Sequence, residues 1–164
     1  MTDLLGKLST YHFFNYLLPG AVFSMLAQRL SLVEMPSDVV EQFVWFYFVG
    51  LILSRIGSLL VEPALIKLKI IEYGCYEDYL YAHERDAKLE LMVEVSNTYR
   101  TLATGFIALI FCVAYFGIVR AFGFSTSLQH YLFLGLLAVL FLLSLKKQAM
   151  FVTKRVKYQK DRGS

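Results

Sequence analysis

Between Arg120 and Lys146 the chain has no ionisable acid or base other than His130, a gap of 25 residues. A helix on the surface of a soluble domain shows a charged or polar face every turn or two, so the gap excludes that setting and points to hydrocarbon. Cysteine is scarce too: Cys75 and Cys112 are the only two, too few for a disulfide framework. The histidines, His12, His83 and His130, lie far apart in the sequence, which argues against a shared metal site. His83-Glu84 opens like a zinc-protease helix, but Ala87 stands where the second histidine is needed. Gly-x-Ser-x-Gly, P-loop and Rossmann glycine patterns are missing. No enzyme activity, metal or cofactor is therefore expected.

What is present is apolar. Hydrophobic residues make up 57%, aromatics 16%, and the mean hydropathy is +0.55, above the share usual for soluble domains. A spanning helix needs about 20 residues to cross about 30 Å of hydrocarbon, so 164 residues hold one unit with four spans. These are expected at 11–30, 42–61, 101–119 and 129–145. The fold class is thus all-α, a polytopic membrane protein with a helical extension between the second and third spans. A single basic residue before the first apolar run, Lys7, and no small-residue cleavage site after it argue against a removable signal peptide.

Basic residues flanking short loops stay on the cytoplasmic side. The tail after Leu145 carries Lys146, Lys147, Lys154, Arg155, Lys157, Lys160 and Arg162 against Asp161 alone, and the 62–100 connection carries Lys67, Lys69, Arg85, Lys88 and Arg100. The loop between the first two spans has Glu34, Asp38 and Glu41 without a base, and that between the last two has no charge. Both termini and the 62–100 connection are expected in the cytoplasm. Phe43, Trp45, Phe46, Tyr47 and Phe48 would crowd the outer end of the second span, as rings at the headgroup zone or as packing bulk.

Helices meet in lipid through small side chains. Three seams recur at four-residue spacing: Gly20, Ser24 and Gln28; Gly50, Ser54 and Ser58; Thr104, Ala108 and Cys112. They close one bundle or join neighbouring copies. The last span is Leu- and Phe-rich with only Gly135 and Ala138 interrupting, and faces lipid. Pro19 with Gly20 predicts a kink in the first span, and Pro63 ends or kinks the second because it offers no N–H to the Leu59 carbonyl.

In the connection, 64–72 reads as a short amphipathic stretch stopped at Gly74. From Glu77, one helix with Leu80, Ala87, Leu91, Val95 and Leu102 on one face, and a Glu84–Lys88 pair, is expected to run into the third span. Eight acids against five bases make the connection acidic, whereas the tail is basic. The two can attract each other, and Lys146, Lys147, Lys154, Arg155 and Lys157 can dock on anionic lipid or a partner.

Arg55 is the charge inside a span. An ion there costs about 2.5 to 3.5 kcal/mol on insertion scales, so it finds a partner, water or an interface. Side chains lean toward the N-terminus of their helix, here away from the cytoplasm. Arg55 is expected to pack on Asn15 or Glu62, to snorkel, or to line an inner vestibule.

At FNYLLPG, SRIGSLLVEP and EVSNTYRTL the chain resembles small four-span proteins of bacterial antiphage defence. That loose group includes the Kiwa membrane component and four-span effectors of cyclic-nucleotide and CRISPR-linked systems. The resemblance is one of topology. It implies an inner-membrane sensor or effector that senses or perturbs the membrane, assembles with its own copies and meets a cytoplasmic protein. A non-conducting scaffold, or a small transporter or lipid-active enzyme, are the alternatives. Membrane lipid is an expected partner; direct nucleic-acid binding is not.

Overall fold

The structure, a computed structural model, describes the backbone of residues 2–83, 86–122 and 126–162 and the side chains of 14–83, 86, 88–119 and 129–160. Expectations for His12, for the Glu84–Lys88 pair, for the Ala87 side chain and for the loop between the last two spans lie outside the described residues. The described chain is all-helical. Helix α1 is Thr2–Arg29, α2 is Val39–Ile56, a π-helical turn covers Gly57–Val61, and α3 is Glu62–Lys67. They are followed by α4 (Tyr76–His83), α5 (Ala87–Phe122) and α6 (Thr126–Arg162). Among the described residues, three stretches are long and apolar enough to cross a membrane: Val39–Lys67, Lys88–Val119 and Gln129–Lys160.

Local chemistry sets the ends. Asp38 caps α2 by accepting from the Val40 and Glu41 N–H groups at 2.9 and 3.1 Å. Helix α1 closes with Ser31 at φ 54°, its N–H on the Gln28 carbonyl and the Leu32 N–H on that of Ala27. This is a Schellman ending without glycine. Helix α3 closes the same way at Lys69, φ 57°, so the stop precedes Gly74, where the sequence placed it.

Two further expectations are corrected. The helix from Glu77 is interrupted: α4 ends at His83, and Asp86 starts α5 by accepting from the Lys88 N–H at 2.9 Å. Pro63 does not end the second span either. The chain widens into the π turn and continues as α3. Pro19 lies inside α1.

The core is α1, α2 and α5. Helices α1 and α2 run antiparallel, and a Cβ on Gly20 would collide with the Phe46 carbonyl, one on Gly50 with the Tyr16 carbonyl. Backbone therefore lies directly on backbone, an approach open only to glycine. Ser24 is buried beside them and accepts from Trp45 Nε1 at 3.1 Å. The seam goes on to Ala27, whereas Gln28 is exposed.

Helix α5 lays Thr101, Thr104, Gly105 and Leu109 against this pair, and the two threonine hydroxyls bond their own helix at Asn97 and Arg100 carbonyls, 2.7 and 2.8 Å. Ala108 and Cys112 are only half-buried, and Leu91 and Val95, expected on the packed face, are exposed. Small and polar residues are inside, large apolar ones outside, the reverse of a soluble bundle. Helix α6 is only lightly attached. It touches α2, while Leu132, Leu136, Val139 and Leu142 are bare.

Candidate functional site

At one end of the apolar segments the helices are joined by a polar layer. Its origin is Pro63. In the π turn the Glu62 N–H bonds the Gly57 carbonyl, and the same wide register points the Ser58 carbonyl at position 63, where proline has no N–H. Lys147 of α6 fills the gap. Its Nζ donates to the Ser58 carbonyl at 2.6 Å and lies 2.8 Å from the Ser58 hydroxyl.

The same ammonium is 3.5 Å from Glu62 Oε2, which also accepts from Arg100 Nη1 at 2.9 Å. One carboxylate thus ties α5 and α6 to the end of α2. Gly57 lets α5 close in: a Cβ there would stand 2.7 Å from Thr104 Oγ1.

A second group adjoins the first through Arg100. Asn15, Tyr16, Ser54, Arg55, Glu94, Asn97, Arg100 and Thr101 line a cavity of about 90 Å³. Arg55 Nη2 donates to the Tyr16 hydroxyl at 3.1 Å, and Tyr16 sits edge-on to Tyr47 with 5.7 Å between ring centres. Asn15 Nδ2 donates to Glu94 Oε2, and Thr98 Oγ1 donates to Asn15 Oδ1. The Nε atoms of Arg55 and Arg100 are buried without a hydrogen-bond partner.

Among the sequence candidates, Arg55 and Asn15 share this cavity but do not bond each other, and Glu62 engages Arg100 and Lys147 rather than Arg55. Pro19, Gly20, Ser24, Gly50, Ser54 and Thr104 are buried at helix contacts, and Ser58 meets Lys147. Lys146, Lys154, Arg155 and Lys157 are exposed, whereas Lys147 turns inward. Sequence reasoning passed over Tyr16, Glu94, Asn97 and Arg100. For Glu94 and Asn97 the signal was the spacing of Glu94, Asn97, Thr98, Thr101 and Thr104, a polar stripe at helical period; Tyr16 and Arg100 lie outside that stripe.

The connection and the tail meet at this same end. The Tyr76 and Phe151 rings are 6.1 Å apart, and Lys147 lies 5.9 Å from the Phe151 ring centre. Burial raises the Tyr79 phenol above its ordinary value, against the lowering pull of Arg155. No group of three or more His, Cys, Asp or Glu among the described residues could hold a metal. Both cysteines are free.

Desolvation, then the charge and hydrogen bond of Glu62, raise the Tyr73 phenol above 10.0. Much of the ring remains exposed, so its effect on folding is small. The sign is fixed: with the folded value raised, that contribution is whole below the unfolded value and is lost as pH rises through the folded one. A tyrosinate absorbance titration, taken as the difference between the parent and Tyr73→Phe, is expected to show a midpoint above the ordinary value of 10.0. In a Glu62→Gln background that midpoint falls but stays raised, because the desolvation remains.

Compared with protein-family models, curated proteins and solved structures, the chain gives no match.

Proposed function

We propose that this chain is an inner-membrane protein that crosses the bilayer four times, with both termini and the 62–100 connection in the cytoplasm. In this reading it works in several copies as a sensor or effector of bacterial antiviral defence, together with a cytoplasmic protein. The observation that carries the reading is the Glu62 cluster. A single carboxylate at the start of α3, which continues α2 through the π turn, meets α5 and α6 at the level where apolar segments give way to charged extensions, so a force on the extensions reaches the membrane helices.

Further features support it. The fourth span is the apolar part of α1, laid against α2 through Gly20 and Gly50. At about 1.5 Å per residue the 36 residues of α5 and 37 of α6 far exceed a hydrocarbon layer of about 30 Å, and both project at the end where Tyr76 meets Phe151. The bare flank of α6 is a surface for another copy, and exposed Lys154, Arg155 and Lys157 suit anionic lipid or a partner. The defence setting comes from the sequence resemblance at FNYLLPG, SRIGSLLVEP and EVSNTYRTL.

Topology is tested with single cysteines at Ser37, Glu77 and Lys157 in a Cys75→Ser, Cys112→Ser background. An impermeant maleimide is expected to label position 37 in intact spheroplasts and positions 77 and 157 only after permeabilisation. Labelling of 77 or 157 from outside overturns the arrangement. A cysteine at Leu136 is expected to give disulfide-linked dimers in the membrane, and strictly monomeric protein at every expression level would remove the self-assembly. Liposomes that keep a trapped dye with purified protein and every cytoplasmic partner tested would favour the non-conducting scaffold.

A further inference from the structure

The polar cavity beside the Glu62 cluster is lined by groups that suit an anion. Two guanidinium groups, from α2 and α5, line it, and the Nε of each is buried without a partner. Those Nε atoms are closed off, Arg100 Nε lying beside Gly57, so what the cavity offers a ligand is the rest of each guanidinium and its charge. Charge points the same way. Arg55 makes no ion pair among the described residues, Arg100 and Lys147 share Glu62, and the remaining lining carboxylate, Glu94, accepts from the Asn15 amide. Among the described residues the lining groups and the Glu62 that pairs with Arg100 give two cations and two carboxylates, and Lys147, which shares Glu62, brings the linked network to three cations.

We propose that this cavity binds one phosphate group, free or carried by an anionic lipid headgroup. Guanidinium edges match phosphate oxygens in a planar fork, and the amides of Asn15 and Asn97 add neutral donors on the same wall. A volume of about 90 Å³ takes a single tetrahedral oxyanion with water and rejects a nucleotide. The position also fits, since the cavity shares Arg100 with the Glu62 cluster, at the level where, in the proposed topology, a span meets the inner-leaflet headgroups. Phosphate bridging Arg55 and Arg100 links α2 to α5, and Arg100 already holds Glu62, so occupancy is read by the cluster that joins the helices. The site is complete within one chain and does not rest on self-assembly.

The test uses full-length protein in nanodiscs of phosphatidylcholine, titrated calorimetrically with inorganic phosphate at constant ionic strength. Saturable binding of one phosphate per chain is expected, weakened about tenfold or more in Arg55→Gln, the loss of a charge-assisted hydrogen bond. If free phosphate gives no heat, the headgroup source requires that phosphatidylglycerol in the nanodisc raise the Tm of the parent and not of Arg55→Gln. If neither probe acts on the parent, the proposal is overturned. Should Arg55→Gln lose its helical circular dichroism, Arg55→Lys takes its place: it keeps the charge, loses the fork, and is expected to bind more weakly. Unchanged binding in Arg55→Lys, or an equal loss in the exposed control Lys157→Gln, also overturns the site.

Discussion

Alanine at Gly20 or Gly50 is expected to separate α1 from α2. A methyl at either position would occupy the space of a backbone carbonyl, Phe46 for Gly20 and Tyr16 for Gly50. Backbone cannot rotate aside as the end of a side chain can, so the helices must move apart along the contact that carries Ser24, Trp45 and Ala27. Overpacking of this kind costs about 1 to 3 kcal/mol and more where the neighbour is rigid, which puts each substitution at about 3 kcal/mol or above. The loss is read as earlier denaturant unfolding of the helical signal in micelles. Because the two glycines share one contact, the double substitution costs less than the sum. Gly117→Ala and Gly135→Ala are the controls: a Cβ at either meets nothing within 4 Å, and alanine is the better helix former by about 1 kcal/mol in water. If Gly135→Ala destabilised as much as Gly20→Ala, steric contact at the seam would not be the cause.

These glycines were legible because the rule behind them is local: small residues every four positions mark a close approach, whatever the partner. The polar layer was not legible, for reasons that are equally physical. Arg100, Glu94 and Lys147 were counted by segment, as the charge of a connection or a tail, and a segment total says nothing of the helix face each residue occupies. The face of α5 was read by the soluble rule that apolar residues turn inward, which selected Leu91 and Val95. In a membrane helix the inward face is the polar and small one, and EVSNTYRTLATG displays it in sequence. Pro63 signalled a missing N–H, but the affected carbonyl depends on the helical register. An α register implicates Leu59; the π register implicates Ser58, and only the latter gives Lys147 its place. The ends of α1 and α3 escaped because Ser31 and Lys69 hold the left-handed position usually given to glycine.

Glu62→Gln is expected to be the most damaging change in the polar layer. The side chains of Glu62 and Arg100 are only 15% and 19% exposed, so the pair behaves as a covered one, and removing one partner from such a pair costs up to about 3 to 5 kcal/mol. Residual water access reduces this to about 2 to 3 kcal/mol. Glutamine keeps the shape, so the loss reports charge: one amide oxygen cannot balance Arg100 and Lys147 together. Lys147→Met costs less, about 1 kcal/mol, because the Lys147 side chain is 27% exposed and leaves behind the Ser58 carbonyl with the hydration that exposure allows. The double variant Glu62→Gln, Arg100→Leu recovers part of the loss, since it removes the cation that Glu62→Gln strands. A spin label at Lys154 separates stability from coupling. Its mobility rises in both Glu62→Gln and Lys147→Met, because each releases α6 from α2. If Glu62→Gln unfolds no earlier than Lys147→Met and leaves the label unmoved, the carboxylate does not hold the tail to the membrane helices, and a pull on the tail has no covered charge through which to reach them.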